Sequence, residues 1–283
     1  MNEPFTTVEV RELAPALGAE ILGVDLSRPV EAAQVREIRR AFHRYGVIFF
    51  RDQELTPEQH LAFARTWGGI NINRFFRPVE GHPEIAEVRK EAHQVNNIGG
   101  SWHTDHSYDE APAMGSMLYA RELPETGGDT LFASMSRAYE ALSGGMKAML
   151  GTLRAVHSSR HVYGPGRNSS RPDTEERTGN PELATQEAVH PVVLAHPETG
   201  RQGLYVNPVF TLRFEGWSEA ESKPLLDYLY AHAIQPEFVC RFRWRQGSMA
   251  FWDNRATWHY AANDYAGQAR LMHRITVEGV PLS

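Results

Sequence analysis

The chain has 283 residues, 41% hydrophobic and 23% charged, the mixture of a globular protein with a full core, and its length fits one domain over 1–283. Its 29 lysines and arginines face 35 aspartates and glutamates, a net charge of −6 that argues against a general nucleic-acid surface yet leaves room for a local basic site taking a small anion. The single cysteine, Cys240, excludes an internal disulfide; with no signal-peptide pattern and no apolar run of membrane-span length, the chain is expected in the cytoplasm without membrane or nucleic-acid partners.

Residues 6–26 read as strand material broken by Gly18 and Gly23. From Glu31 to Tyr45, Val35, Ile38, Ala41 and Phe42 recur at helical spacing, and Gly46 stops the run. A short buried strand, 47–50, follows. Thr56, Pro57 and Gln59 then supply an N-cap, a proline at the first helical position and a capping-box partner for a helix running to about Trp67. Beyond 85–88 short strands multiply, at 113–119, 130–133, 153–157, 188–195, 203–206, 238–245, 248–252 and 270–277. Two helices interrupt them, 135–150 behind Ser134 and 218–234 with Ser218 and Glu221 as a capping box. Cys240 falls inside an alternating strand and reads as a small buried hydrophobe. Residues 160–187, rich in glycine, proline and polar residues, are too long for an ordinary connection and read as a lid. The pattern predicts an α+β, mainly β fold: a jelly roll, or double-stranded β-helix, with flanking helices and the site at its mouth.

The stretch that carries chemistry is Ser101-Trp102-His103-Thr104-Asp105-His106-Ser107-Tyr108. On an extended strand His103 and Asp105 share a face and offer an imidazole and a carboxylate to one point. A metal with open positions needs a third ligand, the 2-His-1-carboxylate triad of non-haem iron oxygenases, and His259 is the candidate. The pair alone is a weak signal that reads more readily as a polar surface turn. His106 and His273 fall on opposite strand faces and read as packing residues. His43, His60 and His82 read as surface or core residues, and Met114, Met117 and Trp67 as core or oligomer surface. Gly127-Gly128-Asp129-Thr130 reads by itself as a tight turn. Arg270 and Arg274 share a strand face, and two inward arginines need anionic partners.

Six motifs together resemble the taurine/2-oxoglutarate dioxygenase family, which includes phenoxyalkanoate dioxygenases and alkylsulfatases. They are Trp102-His103-Thr104-Asp105, Gly127-Gly128-Asp129-Thr130, His190-Pro191-Val192-Val193, Leu204-Tyr205-Val206-Asn207, Trp252-Asp253-Asn254-Arg255 and Met272-His273-Arg274, in the family's order over nearly the whole chain. The resemblance implies Fe(II) held by His103, Asp105 and His259, with 2-oxoglutarate and dioxygen as cosubstrates. It implies Thr130 and Arg270 as the grip on the distal carboxylate of 2-oxoglutarate, and Arg274 as the contact to an anionic substrate. It also implies that a C–H bond of a sulfonate, alkyl sulfate or aryloxy or alkyl carboxylate is hydroxylated, with succinate and carbon dioxide as coproducts. Where taurine-specific members carry a histidine, a tyrosine and an asparagine, this chain carries Asn73, Phe76 and Gly99. Tyr163 and Phe210 fall at the aromatic wall positions, so taurine is not expected as the main substrate. A homo-oligomer, dimer or tetramer, is expected. Two rivals stay open: a jelly-roll metalloenzyme without a keto-acid cosubstrate, which leaves Thr130 and Arg270 without a task, and a non-catalytic anion-binding jelly roll.

Overall fold

Strand alternation and helix caps, taken in chain order, build two facing sheets in a computed structural model that describes residues 3–165 and 177–282. The middle of the expected lid, 166–176, lies outside the described residues. β1 (Glu9–Glu12) and β2 (Ala19–Leu22) are separated by Gly18 as the sequence predicts. α1 (Ala32–Tyr45) buries Ile38, Ala41 and Phe42 and ends at Gly46, where φ is +70° and the amide closes on Phe42 O, a left-handed cap that glycine adopts without strain. β3 (Val47–Phe50) is buried throughout. α2 (Pro57–Arg65) opens on the Thr56/Gln59 capping box and stops two residues short of Trp67.

Next come β4 (Ile70–Asn71), β5 (Pro78–Val79), β6 (His82–Lys90), β7 (Gly115–Glu122) and β8 (Thr130–Ser134). The helix expected over 135–150 is two helices, α3 (Met135–Glu140) and α4 (Gly144–Leu150). Ser143 breaks it, because its hydroxyl accepts from Met146 N and so caps a new helix. β9 (Arg154–Ser158) and α5 (Arg160–Tyr163) lead into the lid region. The single strand expected at 188–195 is also two, β10 (Glu187–Pro191) and β11 (Val193–Ala195). Pro191 lacks an N–H and the ladder changes partner there, β10 pairing with β9 and β11 with β12 (Gln202–Leu204). β13 (Thr211–Phe214) and α6 (Glu219–Ala233), the latter on its Ser218/Glu221 box, precede β14 (Val239–Phe242), β15 (Met249–Asp253), β16 (Thr257–Ala261) and β17 (Arg270–Val277).

The large sheet runs β1-β2-β3-β15-β7-β17-β6-β5, with β4 beside β17, and a smaller one runs β14-β8-β16. Alternation along β3 divides its residues between two cores. Ile48 and Phe50 face α1 and α2 in a cluster with Phe42, Phe63, Met117 and Phe251. Val47 and Phe49 face the small sheet in a second cluster with Phe132, Cys240, Phe242 and Trp252, where the Phe49 and Phe242 rings stack at 3.9 Å. The two sheets thus close on each other as a jelly roll, and helices cover the outer face of the larger one. Among the described residues no helix is long and apolar enough to cross a membrane.

Candidate active site

His103 and Asp105 do not lie on a continuous strand, which corrects the local geometry expected for them. His103 forms an isolated antiparallel bridge with His259, through N–H donations of 3.1 and 2.8 Å in the two directions, and Asp105 opens a turn. His106 in that turn has φ of +61°, so it occupies no strand face; it is buried and its Nδ1 lies 3.0 Å from Asp109 Oδ2. Asp109 also accepts from Arg74 at 2.9 Å, which ties the turn to the loop carrying Phe75 and Phe76.

The bridge sets the two imidazoles side by side, ring centres 4.1 Å apart, and the turn brings Asp105 in from beneath. Ligand atoms of His103, Asp105 and His259 all lie within 4.8 Å of one another, and all three residues are buried. The Ser101 carbonyl, 2.7 Å from His103 Nδ1, can only accept, so Nδ1 carries the proton and Nε2 presents a lone pair. That nitrogen stands 3.8 Å from Asp105 Oδ1, too far for a hydrogen bond. Burial pushes His103 below its ordinary pKa against the opposing pull of Asp105, and pushes His259 well below, with His103 adding to the effect. Burial would raise the Asp105 carboxyl, but Arg274 and the two imidazoles hold it well below the usual carboxylate range. Two neutral imidazoles and one ionised carboxylate are the protonation states a divalent metal requires. The donor set fits Fe(II).

Thr130 and Arg270 converge through a residue that sequence reasoning missed. The Trp244 indole N–H donates to Thr130 Oγ1 at 3.0 Å, and the Arg270 guanidinium lies 5.6 Å from the Trp244 ring centre. Arg270 is 5% exposed, and among the described residues its Nε and one terminal nitrogen are buried without a hydrogen-bond partner. An unpaired buried guanidinium is costly, and burial lowers its pKa. A ligand carboxylate would meet that need. Gly127 and Gly128 lie in the connection between β7 and β8 with φ of +81° and +69°, just past a bend at Glu125 and Thr126, and the Gly128 amide donates to Asp264 Oδ1 at 2.7 Å.

Arg274 is buried four residues along β17, 3.5 Å from Asp105 Oδ1 and 4.5 Å from the centre of the Phe76 ring, and its Nε has no partner among the described residues. Phe76 and Phe210 belong to one aromatic cluster, against which Tyr163 packs. Phe75, which the sequence did not single out, and Tyr108, which closes the central stretch but was given no role there, belong to it as well. Phe75 stacks on Tyr163 at 4.2 Å, and Tyr108 meets Phe210 edge-on at 4.9 Å. Tyr108 stands three residues after Asp105, and an aromatic residue so near a ligand pair was the available signal. The Asn73 side-chain carbonyl accepts from the amides of both Phe75 and Phe76, so it shapes the loop that carries these rings. Thr178 bridges Phe76, and Gly179 N donates to Phe75 O, so the end of the lid region docks on the same loop. As expected, His60, Met117 and Trp67 are core residues, and His273 points to the face of β17 opposite Arg270 and Arg274.

Fold and site together define a metal-dependent oxygenase of the jelly-roll type. Residues 9–276 match the profile of the family described as Taurine catabolism dioxygenase TauD, TfdA family. An alkylsulfatase of Acinetobacter baylyi is 35% identical over 99% of this chain and 87% of its own length. An alpha-ketoglutarate-dependent sulfate ester dioxygenase of Pseudomonas putida is 36% identical over 96% and 90%. The crystal structure of AAD-2 in complex with Mn(II) and N-oxalylglycine superposes with a TM-score of 0.83 at 28% identity, covering 98% of this chain and 99% of that one. The chain belongs to the TauD/TfdA family and is an Fe(II)- and 2-oxoglutarate-dependent dioxygenase.

Proposed function

We propose that this dioxygenase oxidises a small organic anion with an apolar body, a sulfonate, alkyl sulfate or aryloxy or alkyl carboxylate, and that an alkyl sulfate is the best-supported choice. One observation carries the reading: two buried arginines share a face of β17 beside the triad, and each keeps a guanidinium nitrogen without a partner among the described residues. Arg270 takes the distal carboxylate of 2-oxoglutarate, since its planar fork matches a carboxylate bidentately. Thr130 accepts from Trp244, so its own hydroxyl hydrogen is left to donate to the same carboxylate. A jelly-roll enzyme without a keto acid gives this buried pair nothing to bind.

His103, Asp105 and His259 hold the iron. When bound, iron with 2-oxoglutarate and dioxygen supplies an oxidative decarboxylation that yields succinate and carbon dioxide and hydroxylates a substrate carbon. Arg274 holds the anionic end of the substrate. Phe76, Tyr163 and Phe210, with Phe75 and Tyr108, enclose its body and exclude water, and Asn73 fixes the loop that presents Phe76. If the hydroxylated carbon bears the sulfate oxygen, the new hydroxyl loses its proton, a C=O bond forms and the C–O bond to sulfate breaks. An aldehyde and inorganic sulfate then leave. The relatives named for alkyl sulfates and sulfate esters support the sulfate as the charged end.

An aromatic wall favours an apolar body over the short ammonium-bearing body of taurine. At about 25 cal/mol per Å², burying roughly 100 Å² more apolar area adds about 2.5 kcal/mol, close to a hundredfold. The test is kcat/KM from succinate formation with hexyl sulfate, an aryloxyacetate and taurine, in wild type and Arg274→Ala. Hexyl sulfate should exceed taurine by about a hundredfold, and Arg274→Ala should lower every value by about ten- to a hundredfold. Taurine as the best substrate, or unchanged values in the variant, would refute the assignment.

A further inference from the structure

The carboxylate ligand has a support that joins one motif residue, Asn254, to Ser116 on β7, outside the motifs. Ser116, on β7 and fully buried, donates its hydroxyl hydrogen to Asp105 Oδ2 at 2.8 Å. The Ser116 hydroxyl oxygen in turn accepts from the Asn254 side-chain amide at 3.2 Å. A serine hydroxyl has one hydrogen, so a serine that accepts from an amide must direct that hydrogen to its other neighbour. Asn254 is 1% exposed and lies in the turn between β15 and β16, the hairpin that delivers His259. Its backbone carbonyl accepts from the hydroxyl of Thr104, between the first two ligands, and its amide donates to Met114 O. Asn254 therefore grips the ligand turn twice, once through Thr104 and once through Ser116.

We infer that Asn254 and Ser116 form a positioning relay that locks the rotamer of Asp105, so that Oδ2 is held by the protein and only Oδ1 is offered to the metal. The relay has a second consequence, because Arg274 lies 3.5 Å from Oδ1 and competes for the same carboxylate. With Oδ2 tied to Ser116, Asp105 cannot turn to form a two-pronged pair with Arg274. The arginine then keeps donors for a substrate anion, in line with its unpartnered Nε. Without the tie, the carboxylate swings toward Arg274, which weakens metal binding and masks the substrate arginine together.

The relay rests on His103, Asp105 and His259 being the metal set, so the wild type serves as the control. Co(II) and Mn(II) are titrated into wild type, Ser116→Ala, Ser116→Thr, Asn254→Ala and the Ser116→Ala/Asn254→Ala double variant by calorimetry, and the visible spectrum of each Co(II) form is recorded at saturation. Circular dichroism selects folded variants. Residues that orient metal ligands typically contribute about ten- to a hundredfold in affinity, and Ser116→Ala should lose that much. Ser116→Thr keeps the hydroxyl and should recover most of it. The double variant should lose no more than Ser116→Ala alone, because both changes cut one chain. At saturation the Ser116→Ala Co(II) spectrum should shift, reporting a changed carboxylate, which a change in packing alone would leave in place. Wild type that binds neither ion would refute the metal set itself. Wild type that binds while folded Ser116→Ala matches it in affinity and spectrum, or additive losses in the double variant, would overturn the relay alone.

Discussion

Arg270, in its proposed role of holding the cosubstrate carboxylate, is a residue that would weaken the ligand-free fold. Its guanidinium is 5% exposed, with two nitrogens lacking partners among the described residues and the Trp244 face beside it. A buried charged donor left unsatisfied costs on the order of 1–3 kcal/mol or more, which a carboxylate ligand removes. Arg270→Met should therefore unfold at a higher urea concentration than wild type when no 2-oxoglutarate is added, by about 1–2 kcal/mol. With saturating 2-oxoglutarate the wild type alone should gain stability, since only a ligand that binds the folded state shifts the midpoint. Urea melts with and without 2-oxoglutarate check both; a variant less stable than ligand-free wild type would make the arginine structural. Arg270 was legible in the sequence because residues four apart on a strand share a face. Trp244, Ser116 and Asn254 were not legible as partners, because each acts through hydrogen bonds to residues more than ten positions away, and no spacing rule marks such contacts. The candidate ligand pair rested on a mistaken local geometry: the imidazole and carboxylate converge through a bridge and a turn, where strand alternation had been expected.

At the scale of elements, capping chemistry was the most readable signal. Thr56 with Gln59 and Ser218 with Glu221 both form complete capping boxes, because the pattern needs only three or four consecutive residues. The break at Ser143 was missed for a related reason: a cap inside a helical pattern is ambiguous until the preceding turn packs elsewhere. The Gly127-Gly128 connection illustrates a local signal with a distant consequence. A Cβ on Gly127 would lie 2.7 Å from Asp264 Oδ1 and 2.8 Å from its carbonyl oxygen, and φ is +81°. Asp264 in turn receives the Gly128 amide and contacts Arg241, which anchors Asp129 beside Thr130. Gly127→Ala should cost about 1–3 kcal/mol through the strained backbone and the clash with Asp264. Because the displaced connection leads straight into Thr130, the apparent affinity for 2-oxoglutarate should fall as well, with metal affinity unchanged. Denaturant midpoints and 2-oxoglutarate titrations measure the two effects, and a variant with wild-type values for both would show that the connection tolerates a side chain.

For the molecule as a whole, strand order was the hidden quantity. The large sheet interleaves β3, β15, β7 and β17 from both ends of the chain, and β16 reaches His103 only because β8 holds it on the opposite sheet. Periodicity identifies strands and their buried faces; it carries no information on which strands become neighbours. The same closure buries histidines far from any solvent, and that makes stability depend on pH. His60 is 1% exposed with neither ring nitrogen partnered, and burial, reinforced by His273 and Arg121, pushes its pKa down to about 3. His157 is fully buried, and burial, with His190 adding to it, pushes it down to about 3 as well. Both are bases whose folded pKa lies below the unfolded value near 6.5, so between about pH 6.5 and 3 the unfolded chain holds more protons than the folded one. Stability therefore rises with pH across that window; the contribution is complete above pH 6.5 and is lost as the medium is acidified. Each group contributes a slope of up to about 1.4 kcal/mol per pH unit, or about 2.7 for the two. Against a typical stability of about 5–15 kcal/mol, that slope should bring unfolding midpoints in urea down steeply between pH 6 and 4. His60→Leu removes one of the two groups and should halve the slope attributable to them while leaving His157 in place. Urea melts at pH 7, 6, 5 and 4.5 on the metal-free protein measure it, and a flat midpoint over that range, or an unaltered slope in His60→Leu, would mean that these histidines take up protons in the folded state.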